Sequence, residues 1–233
     1  MTDHRIIVAL DVQTAGEAKD TVKRLGDSVS FYKVGMELYA AAGMDLVREL
    51  MGAGKQIFLD LKFYDIGETV KRAVVQVAAS GVDFLTIHAV PQVMRAAVEG
   101  RAGSPLKLLA VTVLTSFDQM DLAADGYTCS VPDLVALRVR NAMTAGVDGI
   151  VCSPLEVAAV RRIAGPGAIL VTPGVRSAGA ATGDQKRVAT PGQALANGAD
   201  YLVIGRQITR AADPKSEVAR ILEELPLSVR GNC

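Results

Sequence analysis

The sequence predicts an α/β protein that folds as a single (β/α)8 TIM barrel domain over residues 1–233. Short apolar runs alternate with Ala-rich segments of helical spacing along the whole chain. The alternation gives about eight strand–helix units of about 29 residues each, which is the size of such a barrel. Residues 79–83, 144–148 and 197–200 also repeat one junction. In each junction a glycine is followed by an aspartate and then by an apolar run. Glycine is the residue that usually ends a helix in the left-handed conformation.

Eight runs qualify as strands because they are short and apolar and alternate with helical segments. In chain order they are residues 6–11, 31–35, 56–61, 83–88, 107–112, 149–152, 168–172 and 201–205. Between them, apolar residues recur at helical spacing most clearly in 15–25, 36–51, 68–79 and 132–145. The connection 174–190 is long and rich in Gly and Ala, so we interpret it as a mobile lid.

A doubly wound open sheet shows the same alternation and is the main alternative fold. The first strand–helix turn, residues 10–16, lacks the GxGxxG fingerprint of dinucleotide binding. This absence favours the barrel.

Composition argues against several classes of function. The formal net charge is zero, which gives no reason to expect nucleic acid or an anionic membrane as a partner. No apolar run approaches the ~20 residues of a membrane span, and the first residues do not resemble a signal peptide. Cys129, Cys152 and Cys233 fit reduced thiols, so we expect a cytoplasmic protein. The two histidines, His4 and His88, argue against His-based zinc sites and Ser-His-Asp triads.

The run 58–66 places three charged residues at the end of an apolar strand. Asp60 and Lys62 are two residues apart and share one face of a strand, and Asp65 follows just after it. Charges on a buried strand are costly unless they are paired or functional. Two carboxylates around Lys62 would keep its ammonium protonated, as a cation and proton donor. A structural ion pair is the alternative interpretation.

Other polar residues gather at the same ends of the predicted strands, where barrels carry their active sites. Asp11 ends the first strand and Lys33 lies within the second. Each has a structural alternative: Asp11 as a helix cap, and Lys33 as a lysine that reaches to the barrel rim. His88 ends the fourth strand, where a structural role is the more common one. A divalent metal on Asp11, Asp60 and Asp65 is disfavoured by the charge of Lys62.

A second group of residues predicts an anion site. Arg176 follows the seventh strand, and Gly205 and Arg206 follow the eighth. Barrels often hold a phosphate with these two loops, using backbone N–H groups and bidentate arginines. The alternative is a pair of solvated surface arginines. Without a Walker loop, a monophosphate is favoured over a nucleoside triphosphate.

These motifs resemble those of orotidine 5'-phosphate decarboxylases. The family's Asp-x-Lys-x-x-Asp-Ile signature is similar to residues 60–66. Further matches are Ala-Leu-Asp at 9–11, Lys-Val-Gly-Met-Glu at 33–37, Thr-Pro-Gly-Val-Arg at 172–176, Asp-Gln-x-Arg-Val at 184–188 and Val-Ile-Gly-Arg at 203–206. The resemblance covers nearly the whole chain, although the tail 228–233 matches no motif.

The resemblance implies a homodimeric barrel that converts orotidine 5'-phosphate to uridine 5'-phosphate without cofactor or metal, in the last step of UMP biosynthesis. It implies Lys62 as the proton donor to the carbon that loses CO2, Asp60 beside the leaving carboxylate, and Lys33 as a bridge from Asp60 to the ribose. Asp65 would come from the neighbouring subunit. The implied substrate contacts are Asp11, Lys33, Asp60, Ile66, Thr69, Thr115, Pro173, Arg176, Gln185, Gly205 and Arg206, with Gln185 on the closing loop.

Two other functions stay open at this point. Magnesium-dependent decarboxylases of keto-sugar phosphates resemble the Asp-x-Lys-x-x-Asp core but carry an acidic residue where this chain has Lys33, so Lys33 favours the metal-free reaction. A catalytically silent nucleotide-binding protein would keep Arg176, Gln185 and Arg206 and tolerate the loss of Lys62.

Overall fold

The computed structural model describes residues 5–177 and 189–225. Its strands are β1 (Ile6–Ala9), β2 (Phe31–Gly35), β3 (Gln56–Phe63), β4 (Phe84–His88), β5 (Lys107–Val111), β6 (Gly149–Val151), β7 (Ile169–Thr172) and β8 (Tyr201–Ile204). Within the described residues these eight strands are parallel and pair in chain order, and β8 pairs with β1. The predicted (β/α)8 barrel is therefore confirmed.

The helices surround this barrel. They are α1 (Ala15–Leu25), α2 (Met36–Gly52), α3 (Gly67–Ser80), α4 (Pro91–Arg101), α5 (Gln119–Ala124), α6 (Val131–Ala145), α7 (Val157–Ala164), α8 (Pro191–Ala196), α9 (Arg206–Thr209) and α10 (Pro214–Glu223), and a 3-10 turn (Gly26–Ser28) follows α1. The four helices predicted from spacing correspond to α1, α2, α3 and α6. A kink interrupts α2 at Gly43, whose φ of 59° suits a glycine. None of the described helices combines the length and the apolar character that crossing a membrane requires.

The barrel interior is filled by alternate residues of the strands. On β1, Ile7 and Ala9 face the interior, whereas Ile6 and Val8 pack against the helices. Aromatic rings fill the lower part of the interior, with ring centroids 5.0 Å apart for Phe31–Phe84 and 5.2 Å apart for Phe84–Tyr201. Two positions further along β2, β3 and β4, the same inward faces carry Lys33, Asp60 and Thr86. The aromatic layer therefore lies directly below these polar residues in the barrel interior.

The Asp residues of the repeated junction close the opposite end of the barrel. Each carboxylate accepts a backbone N–H of the preceding strand: Asp83 from Ile57 at 2.8 Å, Asp148 from Leu108 at 2.9 Å and Asp200 from Leu170 at 2.7 Å. Gly81 and Gly146, which follow α3 and α6, are left-handed as the repeat predicts. The amino ends of parallel strands expose N–H groups, so these aspartates stabilise the fold and lie away from the cavity.

Candidate active site

A cavity of about 480 Å³ opens at the carboxyl ends of the strands. Its lining includes most of the residues that the sequence predicts for a site: Asp11, Lys33, Asp60, Lys62, Thr115, Pro173, Arg176, Gly205 and Arg206. The closed barrel brings these residues together, because they lie in or follow six parallel strands, β1, β2, β3, β5, β7 and β8. All nine residues therefore lie at the end of the barrel where the sequence predicts a site.

Four charged side chains of alternating sign form a chain across one side of the cavity. The Lys33 Nζ donates to Asp11 Oδ1 at 2.7 Å and lies 3.5 Å from Asp60 Oδ2. The Lys62 Nζ donates to the other oxygen, Asp60 Oδ1, at 2.8 Å. Each carboxylate oxygen of Asp60 therefore faces a different lysine, which fixes the orientation of the carboxylate.

Asp60 is held in its ionised form. Its side chain is 16 % exposed, and burial alone would raise the pKa of this carboxyl. The charges of Lys33 and Lys62, together with hydrogen bonds from Lys62 and Thr86, outweigh burial and lower the pKa of Asp60 below its usual value. The site therefore keeps a fixed negative charge between two ammonium groups.

The backbone at Lys62 is unusual. In the described part of the chain, Lys62 is the single non-glycine residue with a left-handed backbone, at φ 49°. That conformation costs a non-glycine residue of order 1 kcal/mol. The β3–β4 register also shifts, since Leu59 pairs with Leu85 but Phe63 pairs with Ile87. The regular alternation of side chains that the sequence predicts along β3 therefore ends at Asp60. The Lys62 ammonium nevertheless contacts the Asp60 carboxylate.

Thr86 lies opposite this irregularity, and the sequence reasoning missed it. The Lys62 backbone N–H donates to Thr86 Oγ1 at 2.9 Å, and that hydroxyl donates to Asp60 Oδ1 at 3.0 Å. Thr86 is fully buried. Its position two residues before His88, on the same strand face, is the signal that could have identified it.

The residues of the predicted anion site follow β7 and β8, the strands opposite β3 and β4 in the closed barrel. Arg176, Gly205, Arg206 and Pro173 all line the cavity. The Arg176 backbone N–H donates to the Ala189 carbonyl at 3.0 Å, which ties the β7 loop to the far end of the long connection. Of the predicted lid, residues 178–188 and with them Gln185 lie outside the described residues.

Three predicted site residues do not line the cavity of their own chain. Asp65 and Ile66 are exposed on the turn after β3, next to the exposed Tyr64, and Thr69 lies on the first turn of α3. The Asp65 carboxylate accepts the N–H of Ile66 at 2.6 Å. Among the described residues, Lys62 forms an ion pair with Asp60 alone. The expectation that two carboxylates flank Lys62 therefore does not hold within one chain.

His88 lies beside this turn. Its ring packs on that of Tyr64, with centroids 5.4 Å apart. Burial, helped by the charges of Arg138 and Lys62, lowers the pKa of His88. The imidazole is therefore neutral at neutral pH, which agrees with a structural role. No cluster of three or more His, Cys, Asp or Glu in the described ranges is arranged to hold a metal ion.

Comparison with known proteins identifies the family. The model of the orotidine 5'-phosphate decarboxylase / HUMPS family matches residues 4–221. The chain belongs to this family. The matched range includes every residue that the sequence predicts for the site, among them Gln185.

Relatives and solved structures within the family cover the chain almost completely. An orotidine 5'-phosphate decarboxylase of Rhodopseudomonas palustris (strain BisA53) is 55 % identical over 221 residues, 95 % of this chain and 94 % of the relative. The enzyme of the same name from Afipia carboxidovorans is 54 % identical over 96 % of this chain and 95 % of the relative. A crystal structure of orotidine 5'-phosphate decarboxylase from Lactobacillus acidophilus is similar with a TM-score of 0.83 at 37 % identity, over 95 % of this chain and 99 % of that one.

Proposed function

We propose that this protein decarboxylates orotidine 5'-phosphate to uridine 5'-phosphate and CO2, in the last step of UMP biosynthesis. The observation that carries the proposal is the alternating Asp11–Lys33–Asp60–Lys62 chain, which lines the same cavity as two arginines. Such an arrangement suits a substrate with a phosphate at one end and a carbon that becomes negatively charged at the other. The high identity to relatives named for this activity supports the same reaction.

Lys62 is the catalytic acid in this proposal. The bond between the ring carbon and the carboxylate breaks, CO2 leaves, and the electron pair stays on the ring carbon. The Lys62 ammonium stabilises the resulting carbanion and then gives it a proton; the amine regains a proton from solvent. Asp60 supports this role because its negative charge lies 2.8 Å from the Lys62 ammonium and holds the ammonium in place. Preorganised charge of this kind is often the largest catalytic contribution.

The other cavity residues bind the rest of the substrate. Arg176, Gly205 and Arg206 hold the phosphate with Pro173, and Gln185 joins them from the closing loop. Lys33 and Asp11 bind the ribose, and Thr115 lies on the far side of the nucleotide. Binding the phosphate far from the reacting carbon supplies energy that is used in the transition state.

The functional unit is a homodimer with shared active sites. Asp65, Ile66 and Thr69 serve the neighbouring subunit's cavity, and Asp65 approaches the neighbour's Lys62. This assignment is supported by their position outside their own cavity and by the exposed apolar side chains of Tyr64 and Ile66 beside Asp65. Such exposed apolar side chains favour burial against another protein surface.

The chain acts as one catalytic domain over residues 1–233 and works in the cytoplasm, without a metal or cofactor. Cys129 and Cys152 are thiols and form no disulfide within the described residues, which suits a reducing compartment. A magnesium-dependent decarboxylation of a keto-sugar phosphate is the competing function. The Lys33 ammonium disfavours it, because Lys33 already pairs with Asp11 and Asp60. A magnesium ion would need these two carboxylates as ligands and would be repelled by the ammonium.

The direct test is the loss of orotate ultraviolet absorbance when the protein is mixed with orotidine 5'-phosphate in excess chelator. We expect full activity under these conditions and near-total loss in Lys62→Ala. Activity that instead requires magnesium and a keto-sugar phosphate would refute this function and support the competing one. Unchanged turnover in Lys62→Ala would refute the role of the lysine.

The shared site has its own test. Lys62→Ala and Asp65→Ala homodimers should each be nearly inactive, and mixing them should restore activity because a heterodimer contains one intact site. A mixture that exchanges subunits yet stays inactive would show that Asp65 acts within its own chain.

A further inference from the structure

Three residues of β3 lie opposite one residue of β4. Leu59 pairs with Leu85 and Phe63 pairs with Ile87, so Asp60, Leu61 and Lys62 share the single partner position Thr86. Such a bulge bends a strand and redirects its side chains. It also removes the regular ladder partner of the backbone groups within it.

The Thr86 hydroxyl fills the place of that partner. It accepts the Lys62 backbone N–H at 2.9 Å and donates its own proton to Asp60 Oδ1 at 3.0 Å. One hydroxyl thus contacts the backbone of the proton donor and the carboxylate that faces it. Without it, the Lys62 N–H loses its partner in a buried setting, and Asp60 Oδ1 keeps only the Lys62 ammonium.

We propose that Thr86 is a positioning residue for the reaction: its hydroxyl holds Lys62 in the left-handed conformation that directs the ammonium at the substrate, and holds Asp60 against it. The inference rests on the function proposed above. Thr86 does not line the cavity, so it acts through these two residues and not on the substrate. Within this bulge, Asp60 and Lys62 both line the cavity and their charged groups meet at 2.8 Å.

The alternative is that Thr86 only fills space in the barrel interior. The two roles differ in what the hydroxyl and the methyl group do. Positioning requires the hydroxyl, so Thr86→Ser should function, whereas Thr86→Val keeps the shape and loses both hydrogen bonds. A packing role predicts the reverse order.

The test compares Thr86→Val, Thr86→Ala and Thr86→Ser with the wild type in the orotidine 5'-phosphate assay. We expect kcat to fall about 10- to 100-fold in the Val and Ala variants, because a hydrogen bond to a charged group is lost and Lys62 is less well placed. KM should stay within about threefold, since the phosphate contacts lie across the cavity. Thr86→Ser should stay within about threefold of the wild-type kcat. The Ala variant keeps the comparison available if the Val variant does not fold.

The pH profile separates positioning from a general loss of stability. The charged groups around Asp60 are Lys33, Lys62 and, through Lys33, Asp11; Thr86 adds a hydrogen bond that favours the ionised carboxylate. Its removal should therefore move the acid limb of kcat/KM to higher pH in the Val and Ala variants but not in Thr86→Ser.

A matched control is Thr21→Val. Thr21 is also buried, but its hydroxyl donates to the Glu17 carbonyl within α1, away from the cavity. Its kcat and acid limb should equal those of the wild type. A wild-type protein without activity would refute the proposed function and not this inference. An active wild type with unchanged kcat in Thr86→Val and Thr86→Ala, or with equal losses in Thr86→Ser, would overturn the positioning role.

Discussion

Replacing Asp60 by Asn tests whether the charge chain also stabilises the fold. The amide keeps the shape of the carboxylate but removes the negative charge between Lys33, at 3.5 Å, and Lys62, at 2.8 Å. Removing one partner of a buried ion pair costs about 3–5 kcal/mol. Lys33 keeps Asp11 as a partner and Lys62 is 25 % exposed, so we expect the lower end, about 3 kcal/mol. In a protein of this size this lowers Tm by about 6–12 °C.

The stabilisation by Asp60 should depend on pH, and the direction follows from the pKa of its carboxyl. The folded-state pKa of Asp60 lies below the usual value of 3.8, so the ionised carboxylate binds protons less readily in the folded than in the unfolded protein. The stabilisation is therefore complete above the unfolded pKa and is lost as pH falls through the folded pKa. The difference between wild type and Asp60→Asn should be constant from about pH 5 to 7 and shrink below pH 3.8.

The assay is urea unfolding of both proteins at a series of pH values. Asp11→Asn is the matched control, because Asp11 pairs with the same Lys33 but its side chain is 55 % exposed. Exposed pairs contribute about 0–1 kcal/mol, so the control should lose less than about 1 kcal/mol. The reasoning is refuted if Asp60→Asn costs no more than the control, or if its effect is as large at pH 3 as at pH 7.

Three further predictions concern single residues. A methyl group on Gly35 would lie 3.0 Å from the Lys33 Nζ and 3.2 Å from Asp11 Oδ1, so Gly35→Ala should shift this ion pair by a few tenths of an ångström and lower kcat/KM severalfold; an unchanged kcat/KM in steady-state kinetics would contradict this. Asp148→Asn loses the ion pair with Arg101 at the amino end of the barrel and should lower the free energy of unfolding by about 2 kcal/mol without changing kcat. Urea unfolding and steady-state kinetics of Asp148→Asn check this prediction, and a lower kcat with an unchanged free energy of unfolding would contradict it. The His88 imidazole should titrate with a midpoint below 6.5 in NMR, because burial lowers its pKa; a midpoint at or above 6.5 would contradict its buried environment.

The barrel and most of the site could be predicted because both follow from local patterns. Strand–helix alternation gives the fold, and parallel strands then place Asp11, Lys33 and Asp60 at one end without any further information. The limit of this reasoning is β3. Strand alternation correctly predicts that Asp60 and Lys62 meet, but the reason is different, since Lys62 is left-handed and lies in a bulge. A bulge depends on the pairing of β3 with β4, which no pattern within β3 contains.

Thr86 and Asp65 show two other limits. Thr86 looks like an ordinary strand residue, and its importance appears only when its hydroxyl is found between Lys62 and Asp60. Asp65 carries the strongest motif signal of the chain, yet its side chain lies outside its own cavity. Spacing alone predicted that Asp65 flanks Lys62 in the same chain, whereas the family resemblance implied that Asp65 serves the neighbouring subunit.

Aspartates at the two ends of the barrel differ because the ends of parallel strands differ. The amino ends expose N–H donors, and there Asp83, Asp148 and Asp200 each accept a backbone N–H. The carboxyl ends of the strands expose carbonyl groups, which are acceptors and cannot donate a hydrogen bond to a carboxylate. Asp60 must therefore draw its hydrogen bonds from the side chains of Lys62 and Thr86, with the charge of Lys33 beside it. The position of Asp60 is therefore explained by the charged and polar side chains around it and not by the backbone groups at the strand ends.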